Sequence, residues 1–166
     1  IQKKRQLIHS GDKVLDLGSA PGAWSEALVK MVGSSGMVVS CDLLDMEPIR
    51  GVYFVKGDFL REETLDEIQS ACGKFDVIVS DMAPNLTGTP VVDQANMLKL
   101  VKQAIVFAKI HLNVGGGLLV KCFSGSQFEE GNLLFKENFG RVKVFKPDAS
   151  KQASKEIYLI GQEFKV

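Results

Sequence analysis

The sequence predicts an α/β fold: a mostly parallel seven-stranded sheet with one antiparallel strand and helices on both faces. Three observations carry this reading. Short apolar runs alternate with stretches of helical spacing along the chain, as in successive β-α-β units. Several runs are nearly continuous in Val, Ile and Leu, as strands covered on both sides must be. The last two runs are joined by "KPDASKQAS", which has no helical pattern, so they are expected to form an antiparallel pair at or near one edge.

The elements follow in order. Lys13–Leu17, "KVLDL", is the first strand, and it runs into the turn "GSAPG". Ala23–Val32 is amphipathic and helical, and "MVVSCD" at Met37–Asp42 is the second strand. Tyr53–Val55, set between Gly51 and Gly57, is a short third strand, and apolar spacing makes Glu62–Cys72 a helix. "FDVIVS" at Phe75–Ser80 is the fourth strand, and the long helical pattern Val92–Leu112 leads to a fifth at Gly117–Phe123. A helix at Gln127–Asn138 then precedes strands at Val142–Phe145 and Ile157–Ile160.

At 166 residues the chain is expected to be one domain, residues 1–166, with a single sizeable core. It opens on Ile1 rather than Met, which predicts that an N-terminal segment has been trimmed. Hydrophobic content of 45% and charged content of 24% are those of a globular protein, and no apolar run nears the roughly 18 residues of a membrane span. Cys41, Cys72 and Cys122 form no CxxC pair and read as reduced, small buried hydrophobes. His9 and His111 stand alone, so no metal site is expected.

Net charge is zero but uneven: residues 1–100 carry 10 Lys/Arg against 14 Asp/Glu, and residues 101–166 carry 10 against 6. Lys136, Arg141, Lys143, Lys146, Lys151 and Lys155 lie close in sequence, opposed only by Glu137 and Asp148. Such a run is either a solvated face or a surface for a polyanion.

In open parallel sheets the ligand sits beyond the carboxyl ends of the strands. There the chain places Asp16-Leu17-Gly18, Cys41-Asp42, Gly57-Asp58, Ser80-Asp81 and Lys121, with Glu156 opening the last strand. The glycine loop Gly18-Ser19-Ala20-Pro21-Gly22 lacks the second glycine of the G-x-G-x-x-G dinucleotide fingerprint, and no Lys-Ser/Thr follows to make a phosphate loop. The ligand is therefore nucleoside-like but without phosphate. Asp42, 24 residues after Gly18, suits the two ribose hydroxyls, and Asp58 suits an exocyclic adenine amine. Asp16 and Asp81 suit a positive charge. An adenosine with a cationic tail and no phosphate describes S-adenosylmethionine. Some of these residues have plainer uses: Asp16 as a turn cap, Trp24 as a core anchor, Glu156 as an edge-strand carboxylate, Pro84-Asn85 as a simple turn.

"DLGSAPGAWS", "CDLLDMEPI", "GDF", "SDMAPNLTGTPVVD", "GGGLLVKCF" and "KPDASKQASKEIYLI" resemble, in order and over nearly the whole chain, the FtsJ/RrmJ family of RNA ribose 2′-O-methyltransferases. The resemblance implies a Rossmann-like class I S-adenosylmethionine-dependent methyltransferase fold. It implies that Gly18, Gly22, Trp24, Asp42, Asp58 and Asp81 contact S-adenosyl-L-methionine, and that Lys121, Asp81 and Glu156 are catalytic. "SDMAPN" and "KPDAS…SKEIY" are similar to the ribosomal-RNA branch, implying a uridine in the A-loop of large-subunit rRNA as target, on naked RNA or a ribosomal particle. A bacterial (cytoplasmic) or organellar source, a monomer and no membrane partner are the matching expectations. The family places a further lysine ahead of the first strand; here it would fall just upstream of Ile1, and Lys3 and Lys4 do not align with it. Competing readings are a transfer-RNA or cap ribose methyltransferase, a non-catalytic RNA-binding ribosome assembly factor, and a nicotinamide oxidoreductase, the last disfavoured by the glycine spacing.

Overall fold

A computed structural model describes residues 7–147 and 155–166. Its elements are β1 (Lys13–Leu17), α1 (Ala23–Val32), β2 (Met37–Asp42), β3 (Val52–Lys56), α2 (Glu62–Ala71), β4 (Phe75–Ser80), α3 (Pro90–His111), β5 (Leu112–Phe123), α4 (Phe128–Asn138), β6 (Phe139–Phe145) and β7 (Glu156–Phe164). The seven strands form one sheet in the order β3-β2-β1-β4-β5-β7-β6. Neighbours among β1–β5 are parallel. β7 is antiparallel to both β5 and β6, so β6 points the same way as β1–β5 and β7 alone is reversed. The expected mostly parallel sheet and its antiparallel edge pair are both observed, and the direction of winding reverses between β1 and β4, where such sheets open a crevice.

Side-chain alternation along the strands divides the core into two layers. Leu15, Leu17, Val39, Cys41, Ile78, Leu118, Val120 and Leu159 face one side, with apolar residues of α2, α3 and α4. Val14, Val38, Val77, Val79, Leu119, Tyr158 and Ile160 face the other, with Leu28 and Val32 of α1 and the segment Leu7–Ile8. This parity matters for the site, because continuing it by two residues along each strand specifies what reaches the rim on the α1 side.

Strand ends depart from expectation mainly at β5. The expected strand is Gly117–Phe123, yet it starts at Leu112, directly after α3. Pairing with β4 jumps from Phe75↔Leu112 to Val77↔Gly117, so residues 113–116 form an irregularity rather than a loop. Gly115, at φ 82, supplies the left-handed turn that this extra length requires. The three cysteines are buried, and burial pushes the thiols of Cys41 and Cys122 up to about 12, consistent with inert packing roles.

Candidate active site

On the α1 side of the sheet, the residues that follow Val14, Val38, Val79 and Leu119 by two or four positions are Asp16, Ser40 and Asp42, Asp81, and Lys121. On the reversed strand β7, Tyr158 and Glu156 precede Ile160 with the same parity. Five strands thus deliver polar side chains to one patch of one rim, a consequence of period-2 alternation and shared register.

Lys121 is the centre of this patch. Its Nζ lies 3.1 Å from Asp81 Oδ1 and 3.5 Å from Glu156 Oε1, and its side chain is only 11% exposed. The register pairs Lys121 with Tyr158 and Phe123 with Glu156 across β5 and β7. Tyr158 donates its hydroxyl to the same Asp81 Oδ1 at 2.7 Å. Burial and the two carboxylates nearby push the Tyr158 phenol well above its ordinary range, so it remains a donor. Asp81 Oδ1 therefore receives two hydrogen bonds, which hold its carboxylate and, through it, the ammonium in place. Tyr158 was not among the residues anticipated. Its signal was the spacing Glu156-x-Tyr158, which puts both on one face of a strand.

The glycine loop stands beside this cluster. Gly18 N–H and Ser19 N–H both donate to Cys41 O, at 2.9 and 3.3 Å, pinning the loop to the end of β2. Gly18 has φ 73, and a Cβ there would come within 2.6 Å of Met82 Cγ, so the close approach of the Asp81-Met82 segment requires glycine. Gly22, at φ 117, ends the loop as the N-cap of α1 and leaves room for Met46 and Ile49. Asp42 accepts from Ala20 N–H through Oδ2 and Leu44 N–H through Oδ1, both at 2.9 Å. It thus shapes the pocket wall as well as facing it, and each oxygen keeps a second acceptor site. Asp58 accepts Leu60 N–H at 3.0 Å in the turn leading to α2. Trp24 packs at 5.7 Å from the Tyr158 ring, against the α1-side core. Gly18, Gly22, Trp24, Asp42, Asp58, Asp81, Lys121 and Glu156 accordingly all sit on or behind the carboxyl rim.

Beneath the loop, Asp16 is fully buried and accepts Ser25 Oγ–H at 2.7 Å, with Ser25 in turn 2.7 Å from Ser40 Oγ. Desolvation raises its carboxyl to about 6, with Asp81 and Asp42 adding to the shift and the Ser25 hydrogen bond opposing it. Asp16 Oδ1 and Ser19 Oγ are the buried side-chain polar atoms without a partner among the described residues. An unpartnered carboxylate oxygen under the loop, with the Asp42 and Asp81 carboxylates acting on it, suits a ligand that carries positive charge rather than phosphate.

The basic run does not form the single surface that its sequence proximity suggested. Lys136 lies in the last turn of α4 and Arg141 pairs with Glu163 at 2.7 Å, both at the amino end of the sheet. Lys146 follows β6 and Lys155 precedes β7, at the carboxyl rim. A strand that crosses the sheet carries its two ends about 20 Å apart, which sequence adjacency conceals. Lys151, Lys3 and Lys4 lie outside the described residues.

A model of the FtsJ-like methyltransferase family matches residues 1–164. The chain belongs to this family. Ribosomal RNA large subunit methyltransferase E of Dechloromonas aromatica (strain RCB) is 44% identical over 161 residues, covering 96% of this chain and 78% of that protein. Its namesake in Francisella tularensis subsp. novicida (strain U112) is 42% identical over 167 residues, covering 99% and 81%. Among solved structures, a Plasmodium falciparum protein classed as a ribosomal RNA methyltransferase superposes with a TM-score of 0.89 at 26% identity, covering 98% of this chain and 92% of that one. Aeropyrum pernix fibrillarin, solved with natively bound S-adenosyl-L-methionine, has a TM-score of 0.66 at 13% identity and covers 93% of this chain and 68% of its own, a likeness of fold. The FtsJ-like chain is thus an S-adenosylmethionine-dependent methyltransferase with the expected Rossmann-like fold.

Proposed function

We propose that this FtsJ-like enzyme methylates the ribose 2′-oxygen of a nucleotide in large-subunit ribosomal RNA, at a uridine of the A-loop. Its class, RNA methyltransferase, accords with the family and with the named activity of its relatives. The observation that carries the 2′-hydroxyl assignment is Lys121, held between Asp81 and Glu156 on the rim beside the glycine loop.

S-adenosylmethionine supplies an activated methyl on a sulfonium. The chain's own residues do the rest. Gly18 and Gly22 would let the loop backbone approach the donor, Asp42 and Asp58 would hold its ribose and base edges, and Asp16 with Asp81 would attend its positive tail. Trp24 backs the pocket through Tyr158. Lys121 Nζ has three N–H donors, and its two carboxylate contacts leave one to hold the acceptor 2′-oxygen. Methyl transfer forms the O–C bond and breaks S–C, and the hydroxyl proton must leave. Asp81 Oδ1 already accepts two hydrogen bonds, so Glu156, the more exposed carboxylate, is the proton's acceptor. Positioning two bound reactants can supply roughly 7–11 kcal/mol, and a rigid five-strand rim serves that purpose.

The test is incubation with labelled donor and either free rRNA or assembled large subunits, followed by mapping of the label. Label on a ribose 2′-oxygen of large-subunit rRNA is expected. Label on transfer RNA, or on a base, overturns the assignment. With Lys146 and Lys155 at the rim engaging phosphates, RNA affinity should fall steeply with added salt; indifference to salt would remove them from the RNA path.

A further inference from the structure

Next to the lysine cluster lies a cavity of about 330 Å³ whose lining shares none of the glycine-loop residues. Its apolar lining is Leu86 from the segment between β4 and α3, Pro90 at the start of α3 and Phe123 at the end of β5. Asp93, Gln94, Lys155 and Glu156 supply its polar edge. Glu156 therefore belongs both to this cleft and to the group around Lys121. A group seated in the cleft would therefore lie one side chain away from Lys121.

The cleft is built, not incidental. Asp93, in the first turn of α3, accepts Thr87 N–H at 2.7 Å and Thr87 Oγ–H at 2.8 Å, and Thr89 N–H donates to Thr87 Oγ1 at 3.1 Å. The two Thr87 hydrogen bonds, backbone first, hold the Asp93 carboxyl below its ordinary range, and the set braces the segment that carries Leu86. On the floor, Gln94 Nε2 donates to Ser124 O at 3.0 Å, and Ser124 N–H donates to Lys155 O at 2.8 Å, tying α3, β5 and the start of β7 together. Yet the braced wall presents Leu86 at 69% exposure, although the core makes no use of it. An apolar slot with a polar edge and a lysine at its mouth fits a flat body whose faces are apolar, whose edge hydrogen-bonds and whose neighbours are phosphates. That body is a nucleobase.

We propose that this cleft takes the base of the acceptor nucleotide, stacked on Phe123 and bounded by Leu86, and so presents the 2′-hydroxyl to Lys121. Leu86 and Phe123 are positioning residues, outside the reacting group. The inference rests on the proposed ribose methylation and adds to it the place of the base. RNA chemistry is read mainly on splayed, single-stranded nucleotides that stack on aromatic side chains, and losing one such stack costs about 1–3 kcal/mol.

The experiment compares the wild-type chain, Leu86→Glu and Phe123→Ala on two RNAs: a short RNA spanning the mapped acceptor, and the same RNA with an abasic acceptor nucleotide. Donor affinity is measured alongside by calorimetry. On the intact RNA, Leu86→Glu should raise KM for RNA about tenfold, and Phe123→Ala should lower kcat/KM about 5- to 100-fold, with donor Kd within twofold. On abasic RNA the Leu86→Glu penalty should shrink to under twofold, because no base remains to be displaced. Leu86 is exposed, so that variant keeps its fold even if Phe123→Ala does not. Wild-type methylation of the intact RNA with no effect of Leu86→Glu overturns the cleft alone. A Leu86→Glu penalty that persists on abasic RNA also overturns it, placing backbone rather than base there. No ribose methylation by the wild type would instead sink the underlying assignment.

Discussion

The two ends of the sheet carry pockets of similar size and opposite character. At the amino end a cavity of about 350 Å³ is lined by Asp12, Asp76, Asn113, Arg141 and Glu163 among others. Its charges answer one another: Asp76 accepts Lys13 N–H and Asn113 Nδ2–H at 2.9 Å, Arg141 pairs with Glu163 at 2.7 Å, and Asp12 accepts His9 N–H at 2.7 Å. At the carboxyl end Lys121 is paired with two carboxylates, while Asp16 Oδ1 and Ser19 Oγ have no partner among the described residues. Cavity volume, about 350 Å³ at the amino end and about 330 Å³ for the cleft beside Glu156, does not distinguish the ends. Unspent hydrogen-bonding capacity does: leaving a buried polar atom unmade costs about 1–3 kcal/mol, a cost that a ligand bound at the rim would relieve.

The largest expected break in this symmetry is Lys121→Ala. Methylation should fall about 10²- to 10⁴-fold while donor affinity stays within threefold. Equal loss of both in single-turnover and calorimetric assays would make Lys121 a structural residue. Next comes Asp16→Asn. The folded-state value of about 6 lies above the ordinary 3.8, so between those pH values the native chain holds a proton that the unfolded chain has released. Stability of the donor-free protein should therefore decline as pH rises from about 4 to 7, by roughly 3 kcal/mol at most. Asp16→Asn should abolish that slope in urea titrations and weaken donor binding. A slope that survives the substitution would assign it to other groups.

A pair of glycine variants sharpens the contrast. Gly115→Ala, at φ 82 with open space around it, should cost only the left-handed strain, about 1–2 kcal/mol, with donor affinity unchanged. Gly18→Ala carries comparable strain at φ 73 and must also displace Met82, so it should lower Tm further and weaken donor binding. Equal behaviour of the two in melting and calorimetry would deny the Gly18 loop its special role. The smallest effect belongs to Arg141→Ala at the amino end. Its ion pair is more than half exposed on both sides, so stability should change by about 0–1 kcal/mol and turnover not at all.

Which features were readable in advance follows from the range of the forces involved. Alternation and helical spacing are local, and β1, α1, β2 and β4 occur at the residues expected. The rim residues Asp42, Asp58, Asp81 and Lys121 were legible because strand ends in a parallel sheet share one side by topology. Tyr158 was not, because its importance comes from lying opposite Lys121 in a strand pairing between residues 37 positions apart. The basic run could not be placed for the converse reason: residues close in sequence are carried to opposite ends of the sheet by β6. The start of β5 was misplaced because glycines that usually break a strand here absorb an irregularity within one.

Sequence alone thus specified the architecture, the phosphate-free character of the glycine loop and the membership of the rim, since each depends on residue type and spacing over a few turns or strands. Tertiary packing decided which of those groups meet: that Asp81 serves Lys121 and Tyr158 together, that Asp16 is desolvated with an oxygen unpartnered among the described residues, and that Leu86 and Phe123 line one cleft. Contacts between distant segments depend on register and burial, and those exist only once the sheet has assembled.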